Sequence, residues 1–230
     1  MPTDEQVARL EQQVEYLANR IGMLEDAQDI RHLQHKYGYY MDKAFYEAII
    51  DLFSDDCEIH FLAGIFRGKA GARRLFIDRF RARFARGADG PKSGILMEHP
   101  QLQDIIDVAP DRKTAKARFR YFMQAGTHYT TGTAYQWWEG GLYENVYVKD
   151  GGVWKIKVLI PKMVYVGEYE HGWAYTRPQF VPFLTEVFPA DPLGPDELCP
   201  EERVLWPETD VLPFHYPHPV TGAQVGPSPF

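Results

Sequence analysis

Apolar residues near the start of the chain recur three and four apart, at Val7, Leu10, Val14, Leu17, Ile21 and Leu24. This is the a/d spacing of a coiled-coil seam. Glu5, Arg9, Glu11, Gln12, Glu15 and Arg20 fill the other faces, and Gly22 weakens the last turn. The seam reads either as a helix packing on its own domain or as an oligomer contact. A second helix is predicted in a new phase, carried by Ile30, Leu33, Tyr37 and Tyr40 and running into Met41-Asp42-Lys43. Asp26 and Asp29 favour its N-terminal end through the helix dipole. A short amphipathic piece from Phe45 to Phe53 is closed by Ser54-Asp55-Asp56, and a strand at 57–62 leads through Gly64 to an edge at Ile65-Phe66. Between Lys69 and Arg86, Leu75, Phe76, Phe80 and Phe84 keep helical spacing, with six arginines on other faces that read as solvated or intersubunit.

From residue 94 the period falls to two. Gly94 to Val108 is strand-like, and 113–130 alternates Ala115, Ala117, Phe119 and Tyr121 against Lys116, Arg118, Arg120 and Phe122. Strands at 135–149 and 153–167 flank the hairpin signal Asp150-Gly151-Gly152. Helices first and an antiparallel meander afterwards predict an α+β fold. Twelve of the 17 prolines lie at or beyond Pro178, leaving room for a helix only around 179–188. Trp206, Phe214 and Tyr216 are too aromatic for a disordered tail, so the segment reads as an arm lying on its own or a neighbouring subunit.

Composition narrows the partners. A formal net charge of −7 argues against a nucleic-acid partner. No run of eighteen apolar residues predicts a membrane span. A polar N-terminal helix and two distant cysteines, Cys57 and Cys199, point to a cytoplasmic protein without a disulfide or zinc framework. His215 and His218 are separated by proline with no acidic partner fixed nearby, so no metal is expected there. No Gly-rich phosphate loop or Ser nucleophile elbow occurs, so no cofactor is expected and proton transfer fits better.

Several short signatures follow one another in a definite order. They are Tyr37-Gly38-Tyr39-Tyr40-Met41-Asp42, Phe53-Ser54-Asp55-Asp56, Glu98-His99, Thr114-Ala115-Lys116-Ala117-Arg118, Gly141-Leu142-Tyr143-Glu144 and Gly152-Val153-Trp154-Lys155-Ile156. Over about residues 28–168 this resembles the SnoaL-like branch of the nuclear transport factor 2-like superfamily. The resemblance implies a cone, a strongly bent antiparallel sheet wrapped around helices with an apolar pocket in its mouth. It divides the chain into an N-terminal helical extension (1–27), a SnoaL-like domain (28–170) and a Pro-rich arm (171–230). Fold alone names no reaction, because such proteins include dehydratases, a dehydrochlorinase, ketosteroid isomerase, cyclases and noncatalytic modules.

In the dehydratase and dehydrochlorinase group an Asp at the end of the tyrosine helix orients a strand His. The matching residues here are Asp42 and His99, with Pro100 a departure that threatens the strand register. A histidine takes and returns protons near neutral pH, and a carboxylate on its other nitrogen fixes the tautomer. Tyr37 and Tyr40 share a helical face and join His99 and Asp42 as candidate catalytic residues, while Tyr121, Arg120, Tyr143 and Glu144 are candidates for binding substrate. Arg118 and Arg120 share a side of their strand: in a concave pocket they would bind an oxyanion, on the convex side they would be solvated or at a subunit contact. Glu98 and His128 complete the set.

The arm, with Trp206-Pro207, Pro213-Phe214-His215-Tyr216 and Pro217-His218-Pro219-Val220-Thr221-Gly222, is similar to SnoaL-like proteins of bacteria that degrade lignin-derived aromatics. That likeness implies a cofactor-independent lyase removing formaldehyde and water from a diarylpropane diol to leave a stilbene. Dehydration of a hydroxylated aromatic or alicyclic compound, a ketosteroid-type isomerase and a noncatalytic ligand-binding module remain the alternatives. The expected partners are a small aromatic substrate and further copies of the chain, as a dimer or trimer.

Overall fold

The computed structural model describes residues 2–177, 181, 183–199 and 204–227. One helix, α1 (Asp4–Asp42), replaces the two read from the sequence. Thr3 starts it with a capping box, its side chain accepting from the Gln6 backbone while the Gln6 side chain reaches back. The change of apolar phase at Gly22 marks where the helix meets the rest of the molecule. From there the stripe Gly22, Asp26, Ile30, Gln34, Tyr37 and Met41 is buried. Glycine belongs at 22 because a Cβ there would stand 1.9 Å from the Arg112 guanidinium. That guanidinium bonds Asp26 at 2.6 Å, and Arg31 grips Asp104 at 2.7–3.0 Å, so ion pairs tie α1 to the sheet.

A short helix, α2 (Tyr46–Asp51), precedes β1 (Phe53–Phe61) and β2 (Gly64–Arg67). Ser54-Asp55-Asp56 therefore lies within β1 instead of closing α2. Residues 68–85 form one continuous helical rod: α3 (Gly68–Arg73), a π-helical stretch (Arg74–Arg81) and α4 (Ala82–Ala85). It buries Leu75, Phe76, Ile77 and Phe80. Of the six arginines between 69 and 86, Arg73, Arg83 and Arg86 are exposed as the sequence predicts, but several are tied to neighbouring segments. Arg73 and Arg81 pair with Glu47, Arg74 pairs with Asp196 at 2.6 Å, and Arg79 donates to the Leu193 carbonyl.

The strand-like run 94–108 divides into β3 (Ile95–Glu98) and β4 (Gln101–Val108), interrupted at His99-Pro100. Both pair with β5 (Thr114–Thr127), with Glu98 opposite Gln124 and Gln101 opposite Tyr121, so the register survives the proline. The slip comes instead between Leu102 and Ile105. β6 (Tyr135–Asp150) pairs with β5 over its length, then with β8 (Pro161–Glu168) at one end and β7 (Val153–Leu159) at the other. The single strand read at 153–167 is thus two, separated at Ile160. The path β3-β5-β6-β7-β1-β2, antiparallel except where β1 meets β7, gives a bent open sheet whose concave face packs on α1, α2 and the 68–85 rod. The α+β cone is as the sequence predicts.

The arm lies on its own chain. Its strand β9 (Glu197–Leu198) extends the sheet along β2, and Leu184, Cys199 and Trp206 donate backbone bonds to Leu62, Ala63 and Val164. The helix read around 179–188 falls partly outside the described residues, and residues 183–188 are not helical. Among the described residues no helix is long and apolar enough to cross a membrane.

Candidate active site

A cavity of about 560 Å³ is lined by the concave face, the helices and the arm, and it reaches Glu144 and His215 on the other side of the sheet. Phe61, Phe76, Phe80, Phe84 and Trp137 line one part of it, with ring centres 4.9–6.3 Å apart. Tyr37, His99, Tyr121, Glu139 and Tyr143 form its polar part. Val181, Phe183, Cys199, Val204 and Leu205 bring the arm to its lining.

β5 and β6 carry the polar part because alternation aims every second residue inward. Phe119, Tyr121 and Met123 face Tyr143, Gly141 and Glu139 across the ladder. Gly141 has to lack a side chain: a Cβ there would lie 2.7 Å from the Tyr121 ring and 2.2 Å from the Lys162 carbonyl. The Tyr121 hydroxyl donates to Glu139 at 3.1 Å, and its ring meets His99 edge-on at 4.8 Å. Tyr143 Oη lies 3.3 Å from His99 Nε2, and Tyr37 abuts Tyr143 with ring centres 6.1 Å apart. His99 Nδ1 is buried and has no hydrogen-bond partner.

The cavity sets the protonation of these groups. Burial pushes His99 down to about 4, so the ring is neutral at pH 7. Burial pushes Glu139 up to about 7, against the opposing pull of the Tyr121 hydroxyl. Near neutrality its carboxyl is shared between acid and base forms, the condition that suits proton transfer. Burial also raises Tyr37, Tyr121 and Tyr143, which remain hydroxyl donors.

The candidates from sequence divide. His99, Tyr37, Tyr121 and Tyr143 come together in the cavity. Asp42 does not orient the imidazole: its Oδ1 accepts the His99 backbone N–H at 2.6 Å. The reason is the strand break, which leaves that N–H without a ladder partner. Burial raises Asp42 to about 6, opposed by the same N–H. Tyr40 is half-buried against the core and does not line the cavity. Arg120 is exposed on the outer face, donating to Gln103 at 3.2 Å, and so does not reach the cavity. Glu144 borders the cavity, but Arg118 (2.5 Å) and His215 take its carboxylate. Arg118 is neither solvated nor in the pocket. It is buried beneath the arm, donating to the Leu212 and Pro213 carbonyls under the Phe214 ring. Glu98 pairs with Lys43 on the surface, and His128 caps the turn Tyr129–Thr131.

Sequence reasoning missed Glu139. Its signal was parity, because residues 139, 141 and 143 share one face of β6. Among the described residues no cluster of three or more His, Cys, Asp or Glu could hold a metal. His215 faces Glu144 and Asp107, and the His218 ring accepts from the backbone of Val220 and Thr221.

The model of the SnoaL-like domain family matches residues 22–160, more than half of the chain. The chain belongs to the SnoaL-like domain family. No curated protein matches this SnoaL-like chain in sequence. Among solved structures it is similar to a Novosphingobium aromaticivorans protein provisionally named a scytalone dehydratase, at 22% identity and TM-score 0.50, covering 64% of this chain and 89% of that one. It is also similar to a hexachlorocyclohexane dehydrochlorinase, type 3, from Novosphingobium barchaimii, at 15% identity and TM-score 0.50, covering 74% and 99%. At these identities the likeness establishes the fold.

Proposed function

We propose that this SnoaL-like protein is a cofactor-independent lyase that removes formaldehyde and water from a two-ring diarylpropane diol, leaving a stilbene. The observation that carries the reading is an aromatic cavity that brings together buried His99, with one ring nitrogen unpartnered, and Glu139, whose carboxyl accepts from Tyr121. The volume of about 560 Å³ lies in the ordinary range for small-molecule sites. The likeness of the arm to proteins acting on lignin-derived aromatics supports the substrate class.

In the proposed step, neutral His99 takes the proton of the terminal hydroxymethyl group. The O–H electrons form the C=O of formaldehyde, and the carbon–carbon bond breaks. Its electrons form the new C=C as the benzylic C–O bond breaks, and protonated Glu139 delivers a proton so that the hydroxyl leaves as water. Tyr121 and Tyr143 donate to the oxygens. His99 then returns its proton to Glu139 through the released water, so no net oxidation occurs and no co-reactant is needed.

The test is incubation of chelator-treated protein with such a diol. Formaldehyde and a longer-wavelength stilbene absorbance should appear in equal amounts. Loss of water without formaldehyde would falsify the carbon–carbon cleavage and leave a dehydratase.

A further inference from the structure

Every residue from Pro2 to Ile21 is exposed, so the first half of α1 projects from the body of the molecule. Its six seam residues, Val7 to Leu24, are each 40% to 70% exposed. The face of the helix that meets the body starts with Gly22, Asp26 and Ile30. At 100° per residue the centre of that face lies roughly 190° round the helix from Ile21 and Leu24. The seam therefore points directly away from the body, and a partner helix can approach it without meeting the sheet.

We propose that this seam pairs with the same seam of a second copy of the chain, as a parallel two-stranded coiled coil. The core residues choose the number of strands. Position a holds β-branched Val7, Val14 and Ile21, and position d holds Leu10, Leu17 and Leu24, the combination that favours two helices. The flanking charges choose the direction. Arg20 stands at g and Glu11 and Glu25 at e, so a parallel pair sets Arg20 against the partner's Glu25, twice by symmetry. An antiparallel pair sets g against g and e against e, which takes Arg20 away from both glutamates. In the parallel pair the two bodies hang on opposite outer sides of the coil.

Light scattering on the full chain at micromolar concentration should give twice the 26.6 kDa chain mass. Val14→Glu together with Leu17→Glu should halve that mass while leaving the near-ultraviolet signal of the aromatic core unchanged. Under mild oxidation Leu10→Cys should form a disulfide-linked dimer that the wild type does not. An antiparallel register would hold those two sulfurs roughly 16 Å apart, too far to join. A monomeric wild type, or an assembly that keeps its mass after the double substitution, overturns the pairing. Failure of Leu10→Cys to cross-link overturns its parallel direction.

Discussion

Glu139 and Glu144 sit on the same strand, five residues apart, and an odd separation sends them to opposite faces of the sheet. On the concave side Glu139 meets an apolar cavity and only neutral donors, the Tyr121 hydroxyl and the Trp137 side chain, and burial raises its carboxyl to about 7. On the convex side Glu144 is held between Arg118 and His215 beneath the arm. Arg118 there bonds Glu144 through Nε and two arm carbonyls through Nη2. The contrast separates two uses of a carboxylate removed from bulk water. Paired with cations it fastens one piece of chain to another; left with neutral donors in an apolar hollow it is poised as a proton carrier.

The sharpest way to break this contrast is to remove each carboxylate in turn. Glu139→Gln should lower turnover by about 10²–10⁴, the usual worth of general acid–base help, and leave the melting temperature nearly unchanged. Glu144→Ala should do the reverse. It strands the buried Arg118, so stability should fall by about 3 kcal/mol in denaturant unfolding, with turnover of the folded fraction kept. Equal loss of turnover in both variants would end the distinction between the faces.

A second measurement sharpens the concave side. Turnover should fall as pH drops through about 4, where His99 gains a proton, and again as pH rises through about 7, where Glu139 loses one. The Tyr121 hydroxyl favours the ionised carboxylate and holds this value down. Tyr121→Phe should therefore move the alkaline limb upward, by about one pH unit for a hydrogen bond of about 1.5 kcal/mol. A limb that stays in place or moves down would remove Glu139 from that limb.

The smallest effect concerns Asp42. As an orienter of the imidazole it would make Asp42→Asn severely damaging. As an acceptor for the His99 backbone N–H it can be replaced by an amide oxygen, and turnover should change by less than about threefold. A loss of a hundredfold, in protein with unchanged circular dichroism, would restore the carboxylate–imidazole pair.

The fold was largely legible because its signals are local. Two-residue alternation in 114–127 and 135–150, the Asp150-Gly151-Gly152 turn and the phenylalanine spacing of 75–84 each state a preference that the tertiary structure keeps. Helix α1 was misread as two because its apolar stripe changes face at Gly22, and a change of face looks in sequence like a change of element. His99, Tyr37, Tyr121 and Tyr143 could be picked out by residue type and phase. Glu139 shares that phase but was passed over by residue type, since a carboxylate in a strand usually belongs to the solvated side.

By itself, the sequence determined the two-residue alternation of β5 and β6, the turn between β6 and β7, and the heptad seam, because each depends on a pattern within one segment. The direction of the sheet's curvature decided which phase faces the cavity, and so made Glu139 a buried acid and Glu144 an ion-pair partner. Docking of the arm decided that Arg118 is buried, and the strand break at His99-Pro100 turned Asp42 toward the main chain. These outcomes depend on residues from 18 to 95 positions apart meeting in space, where desolvation and charge pairing act on distances that no local pattern encodes.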